Sequence, residues 1–343
     1  MEPKYTSKLS QTVDIGVGLY LVIIAILSVI GNTAVLLISM RRSTQLKAPE
    51  LLAVNLAVTD LGMALSMYPL SIAAAFNHGW LGGDPSCLYY GVMGMMFSVA
   101  SIMSLTVLGM VRYLVNGNPP ETGNKFERKT ILLVISGIWL YAGVWAVLPL
   151  LGWGSYGPEP FGLSCSVDWI GYQRSLNHSS FIVTLALLCA LIPCLHLLFA
   201  YSAIAWKLHR AYRSMRKGDF HYGNIERRIT LMAVMITLGF IVAWAPYVSV
   251  SAWSIFHSAD QSGSLPPVIS LLPCLFAKTA TAYNPFIYCV FQRSLGKHLC
   301  CCCGGVGGGG PAIENIKRDN APCTITGTVD LEEDLSGRWK QGG

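Results

Sequence analysis

Seven stretches of the chain are apolar for about 20 residues or more, each long enough to cross a bilayer. They run Ile15–Met40, Leu51–Phe76, Leu88–Val115, Ile131–Leu151, Ser179–Ala205, Ile229–Ile255 and Pro267–Val290, with polar connections between them. The pattern predicts an all-α membrane protein, a bundle of seven transmembrane helices. The flank ahead of the first span is polar, and the apolar run is too long for the core of a cleavable signal, so no signal peptide is expected. Past the last span, "FQRSLGKHL" (Phe291–Leu299) is expected to form an amphipathic eighth helix. The chain therefore divides into an outer segment 1–14, a membrane domain 15–290, a juxtamembrane segment 291–303 and a tail 304–343.

Composition agrees: 53% of the 343 residues are hydrophobic and 12% are charged, about half the charge of a soluble domain. Lysine and arginine then set the orientation. The first, third and fifth connections carry Arg41, Arg42 and Lys47; Lys125, Arg128 and Lys129; and a run from Lys207 to Arg228. The second and sixth carry none and the fourth has Arg174 alone, so the amino terminus lies outside. The net charge of +6 reflects these retention charges. Without clustering or aromatic interleaving it does not point to nucleic acid.

Of eleven cysteines, Cys87 and Cys165 fall on the oxidising face and are expected to form a disulfide. Cys189, Cys194 and Cys289 lie inside spans as packing residues, and Cys274 sits near the level of Lys278. Cys300, Cys301, Cys302 and Cys303 follow the last span, where cysteines invite palmitoylation. Adjacent cysteines lack the spacer of a tetrahedral site, so no metal is expected. The glycine-rich run Gly304–Pro311 and the polar, acidic remainder are expected to be a disordered tail. Asn177 opens a glycosylation sequon, but its closeness to the bilayer argues against its use.

Ionisable residues inside spans are costly and point to function. There are four: Asp60, Arg112, His196 and Lys278. His196 alone reads as a satisfied interior residue. Lys278 lies seven residues before Pro285, about 10 Å up the helix, too deep to snorkel comfortably. No acidic residue lies in spans three, five, six or seven to pair with it. A naked ammonium there is expensive, and the cost is relieved by losing the proton, by an acid from a loop, or by reaction with a carbonyl compound. A desolvated lysine is a good Schiff-base nucleophile.

Asn32, Asp60, Trp139, Pro193 and Pro285 each stand in a distinctive context in their own span. With Arg112-Tyr113, "AWAPY" (Ala243–Tyr247) and "NPFIY" (Asn284–Tyr288), the membrane domain resembles the class A G-protein-coupled receptors. The resemblance implies that Asp60, Arg112, Tyr113, Tyr201, Glu226, Asn284, Pro285 and Tyr288 form the activation machinery, Arg112 and Glu226 latching the closed state. One departure stands out: Val111 replaces the acid that commonly precedes the arginine.

A lysine six residues before the Asn-Pro of span seven, together with "SCSVDW" (Ser164–Trp169), makes the chain resemble the opsins. That implies retinal, 11-cis or all-trans, bound to Lys278 as an imine. The visual-type counterion position, three residues after Cys87, holds neutral Tyr90. Glu159, six residues before Cys165, occupies the loop position used by many non-visual opsins. Trp169, Trp244, Tyr247 and Cys274 are expected to complete the pocket. "YGPEPFGLSCSVDW" (Tyr156–Trp169), "LLAVNLAVTDLG" (Leu51–Gly62) and "SKLS" (Ser7–Ser10) look most like the neuropsin group. The resemblance implies a short-wavelength, bistable photoreceptor of the plasma membrane rather than an enzyme. Its partners would be a heterotrimeric G protein, with arrestin and a receptor kinase acting on Thr324, Thr326, Thr328 and Ser336. Tyr68 stands where that group carries a lysine before the span-two proline. A retinal photoisomerase is the alternative and a light-independent chemoreceptor the third reading. The absence of a chain of carboxylates through the spans argues against a light-driven ion pump.

Overall fold

The computed structural model describes residues 2–41, 46, 48–115, 127–214, 220–257 and 266–291; side chains at 208, 211–229, 257 and 289–291 fall outside that description. The eighth helix, Cys300–Cys303 and the tail therefore lie outside the described residues, as do the side chains of Glu226 and Cys289.

Span one is α1 (Gln11–Arg41). Span two is α2 (Ala48–Ser66) followed by α3 (Tyr68–Phe76), and span three is α4 (Gly83–Val115). Span four is α5 (Arg128–Val147). Span five joins α6 (Leu176–Leu185) to α7 (Ile192–Ser214) through a π turn, Ala186–Leu191. Pro193 explains that turn: it cannot donate to the carbonyl four residues back, and its ring crowds that carbonyl outward. Span six is α8 (Phe220–His257), which continues through Pro246. Six of these helical stretches are long and apolar enough to cross a membrane.

The seventh crossing is not one helix. It is α9 (Pro267–Lys278) and α10 (Ala280–Phe291), twelve residues each, parted at Thr279. The amide of Ala282 bonds Thr279 O at 3.0 Å, so the Lys278 carbonyl loses its helical donor. Tyr68 Oη (3.1 Å) and Thr281 Oγ1 (3.0 Å) donate to it instead. Lower down, Pro285 frees the Thr281 carbonyl, and Asn32 Nδ2 takes it at 2.9 Å. Each break in the helix thus has a polar side chain from another span assigned to it, as a water-free interior demands.

The bundle is apolar outward and polar inward. Along α1, Leu19, Ile23 and Ile30 are more than half exposed while Ser28 and Asn32 are fully buried. Inside, Asn55 donates to Ser104 Oγ at 2.7 Å and accepts from Trp139 Nε1 at 2.9 Å. A side chain at Gly31 would meet Pro285 at 2.7 Å, so glycine is what lets span one approach the span-seven proline. His196 corrects the expectation of an interior histidine. It lies exposed on the outer face of α7, its Nδ1 2.8 Å from Ile192 O, because span five turns Leu197 and Ala200 inward instead.

At one end of the bundle, β1 (Tyr156–Pro158) and β2 (Cys165–Val167) form an antiparallel hairpin pairing Tyr156 with Val167. The Cys87–Cys165 disulfide pins it to the top of α4. The amino-terminal segment crosses above: Trp80 N donates to Tyr5 O at 2.7 Å and Lys8 N to Phe161 O at 3.2 Å. Gly162, at φ +83°, passes so close to Thr6 O that a Cβ would lie 2.4 Å from it. At the start of α6, Asn177 Nδ2 donates to Gly152 O and its Oδ1 accepts from Gly154 N, both at 2.8 Å. With its amide nitrogen committed to the loop, Asn177 is expected to carry no glycan. Treatment of cell-expressed protein with an endoglycosidase should leave its gel mobility unchanged.

Candidate functional site

Beneath the hairpin lies a cavity of about 330 Å³ whose wall is almost entirely apolar. Such a volume sits at the lower end of the about 300–1,000 Å³ typical of small-molecule sites. Lys278, at the last position of α9, lines it. Its reach toward the helix amino terminus follows the direction that helical side chains lean and brings Nζ 3.2 Å from Cys274 Sγ. The same amine stands 5.9 Å from the ring centroid of Tyr90. Tyr90 is fixed from two sides, accepting from Ser71 Oγ at 2.7 Å and packing edge-on against Trp80 at 5.1 Å.

Glu159 enters from the roof, 8% exposed, in the turn between the two strands. Its backbone N–H donates to Ser164 O at 2.8 Å, and Tyr247 Oη donates to Oε1 at 2.7 Å. Trp169 Nε1 in turn donates to Tyr247 Oη at 3.2 Å, so the loop, α8 and the carboxyl form one chain of bonds. Glu159 also borders a smaller cavity of about 30 Å³ lined by Ser166, Ser251, Ser254 and Ser270, which has room for a water molecule. Trp244 stacks on Phe240 at 5.6 Å and meets Tyr247 edge-on at 6.0 Å. Its buried indole N–H has no hydrogen-bond partner among the described residues.

This chain matches the 7 transmembrane receptor (rhodopsin family) over residues 31–288. It is 38% identical to human Opsin-5 over 291 residues, covering 84% of this chain and 81% of that one. It is 31% identical to the human visual pigment-like receptor peropsin over 288 residues, 84% of each. Its fold superposes on squid rhodopsin with a TM-score of 0.79 at 25% identity, covering 88% of this chain and 84% of that one. The chain belongs to the opsins.

The structure of this opsin brings Lys278, Cys274, Tyr90, Glu159, Trp169, Trp244 and Tyr247 to one cavity. Tyr68, which the sequence offers only as a departure, holds the Lys278 carbonyl at the break in span seven. Farther from the hairpin, Asn284 Nδ2 donates to Asp60 Oδ2 at 2.8 Å. Tyr201 Oη lies 3.0 Å from Thr237 Oγ1 and donates to Ala233 O at 3.3 Å; Tyr288 donates to Ala53 O at 3.5 Å. Tyr113 packs on Phe199 at 5.5 Å beneath the ammonium of Lys207. Arg112 is 4% exposed, and its expected pairing with Glu226 falls outside the described side chains. Val111 belongs to an apolar cluster with Leu51, Leu108 and Ile131, so an acid there would be buried among hydrocarbon.

Burial pushes the Glu159 carboxyl above its ordinary value, and hydrogen bonds from Ser166 and Tyr247 and the charge of Lys278 pull it partly back. Relative to the unfolded chain the fold therefore favours the neutral form, a preference that a positive charge at Lys278 reduces. That stabilisation is complete below the unfolded value of roughly 4.3 and is lost as pH rises through the raised folded value. In retinal-free protein, the thermal midpoint of wild type should fall relative to Glu159→Gln as pH rises through that window. A difference that shrinks with rising pH would contradict this.

Proposed function

We propose that this opsin is a non-visual photoreceptor of the plasma membrane, amino terminus outside, that activates a heterotrimeric G protein. The observation that carries the proposal is the Lys278 amine in a lidded apolar cavity roofed by one buried carboxyl. Retinal, attached covalently to that amine, supplies light absorption and isomerisation. The wall suits it: aromatic faces stack on a polyene, and the lining is almost entirely apolar.

The chain's own residues then have distinct tasks. Lys278 is the attachment point. Glu159 is the counterion for a positive charge at that point, since Tyr90 is neutral near pH 7. Trp244 and Tyr247 flank Pro246, where α8 lacks a backbone hydrogen bond. A change in cavity shape therefore bears on the weakest point of that helix. Ligand states with different affinities for two conformations shift the balance between them, and the Asp60–Asn284, Tyr201, Tyr288 and Arg112 contacts are those that would rearrange. The neuropsin-like stretch Tyr156–Trp169 implies short-wavelength, bistable behaviour. Arrestin and a receptor kinase would act on the tail.

In pigment reconstituted with retinal, Glu159→Gln is expected to move the absorption maximum, whereas an unchanged spectrum would remove Glu159 as counterion. Val111 keeps a second reading in play, a retinal photoisomerase with weak or no G-protein signalling, because it deprives Arg112 of its usual neighbour. Light-dependent nucleotide exchange on a purified G protein supports the receptor. Its absence, with rapid release of isomerised retinal, would establish the isomerase.

A further inference from the structure

Cys274 and Lys278 are one helical turn apart on α9, with Nζ 3.2 Å from Sγ and both side chains on the cavity wall. The thiol is buried at 8% exposure and unbonded to any other cysteine. Ser164 Oγ on the hairpin approaches the same sulfur at 3.9 Å. A nucleophilic amine and an oxidisable thiol are thus held in contact inside a cavity spacious enough to admit a small oxidant. The attachment of retinal uses the amine and leaves the thiol without a task.

We propose that Cys274 and Lys278 form a reversible sulfur–nitrogen cross-link, a sulfenamide, when the retinal-free protein meets hydroperoxides. In the first step the thiol takes one oxygen from the peroxide, giving a sulfenic acid and water or an alcohol; sulfur is oxidised by two electrons and the peroxide reduced. In the second, the Lys278 ammonium gives up a proton to water, the amine so formed attacks sulfur, the S–N bond forms, and the hydroxyl leaves with an amine proton as water. Sulfenic acids condense with a thiol to a disulfide or with a backbone nitrogen to a sulfenamide; here the nitrogen in contact with the sulfur is the Lys278 amine. The described free cysteines besides Cys274 are Cys189 and Cys194; Cys189 lines the same cavity, its Sγ 3.5 Å from the Tyr141 hydroxyl, and a Cys189→Ser variant separates it from Lys278 as the partner. The flexible four-carbon stem of lysine absorbs the shortening from contact to bond. A dithiol returns both side chains to their starting state and is itself oxidised to a disulfide. The cross-link occupies the one amine at which a carbonyl ligand attaches, so it acts as a redox lock on the empty receptor.

The test is tandem mass spectrometry of full-length protein purified without retinal, treated with hydrogen peroxide and digested without reductant. The expected result is a peptide spanning Cys274 and Lys278 that has lost the mass of two hydrogens and recovers it with dithiothreitol. Cys274→Ser and Lys278→Arg should each abolish that species, and Cys189→Ser should keep it. Wild-type protein in which oxidised Cys274 appears only as sulfinic or sulfonic acid, with Lys278 free, would overturn the proposal without recourse to any variant. The mass readout is independent of the photoreceptor reading. Loss of retinal uptake after peroxide, restored by dithiothreitol, tests the lock itself, and untreated protein that takes up no retinal would sink the reading above while leaving the cross-link standing.

Discussion

Lys278→Ala is expected to leave a folded receptor that forms no retinal-dependent absorption band with either 11-cis or all-trans retinal. The effect should be all-or-none, because among the described residues the cavity holds no second lysine to substitute for the amine. The fold should survive, since the variant removes a buried cationic group whose desolvation opposes folding. What the alanine gives up is the contact with Cys274 Sγ, not the backbone contacts from Tyr68 and Thr281, which go to the Lys278 carbonyl. Thermal unfolding of the retinal-free variant checks the first half, and absorption after reconstitution checks the second. A band of wild-type position and intensity in the variant would reduce retinal to a non-covalent ligand.

Cys165→Ser is expected to have the second large effect, on both stability and pigment. The Cys87–Cys165 bridge closes a separation of 78 residues, for which loop entropy alone corresponds to about 4.5 kcal/mol. Its position adds to that. Cys165 opens β2, whose pairing with β1 supports the turn carrying Glu159, and Glu159 N in turn bonds Ser164 O beside it. Untied from α4, the hairpin loses its anchor over Tyr90 and Lys278. Reconstituted Cys165→Ser protein should therefore yield much less pigment than wild type, and its thermal midpoint should drop by several degrees. Equal yield and midpoint would mean that the roof is held without the disulfide, by the amino-terminal segment and the Tyr247–Glu159 bond.

The spans were legible because lipid demands long apolar runs, and that requirement leaves its mark on sequence irrespective of packing. Lys278 was legible for the opposite reason, as a charge where none belongs. The disulfide followed from topology once the loops were oriented. Three features were not readable. The division of span seven at Thr279 leaves no mark, since threonine there is compatible with a continuous helix and the break depends on Tyr68 from another span taking the freed carbonyl. The π turn before Pro193 is a choice between two ways of relieving the same proline. His196 sits on the outer face because the turn rotates α7 relative to α6, and rotation is invisible to a hydropathy window. Among the candidate site residues, the sequence supplied the identities of those lining the cavity, while the geometry supplied the Glu159–Tyr247–Trp169 chain and the thiol–amine contact.

The claim on which the rest depends is that Lys278 is the covalent anchor of retinal. It is tested most directly by incubating wild-type protein with 11-cis and, separately, all-trans retinal in the dark, reducing with borohydride and mapping the peptides. The account expects a retinyl group on Lys278 for at least one isomer, matched by an absorption band that the reduction bleaches. Folded protein that shows neither a band nor an adduct with either isomer would contradict it.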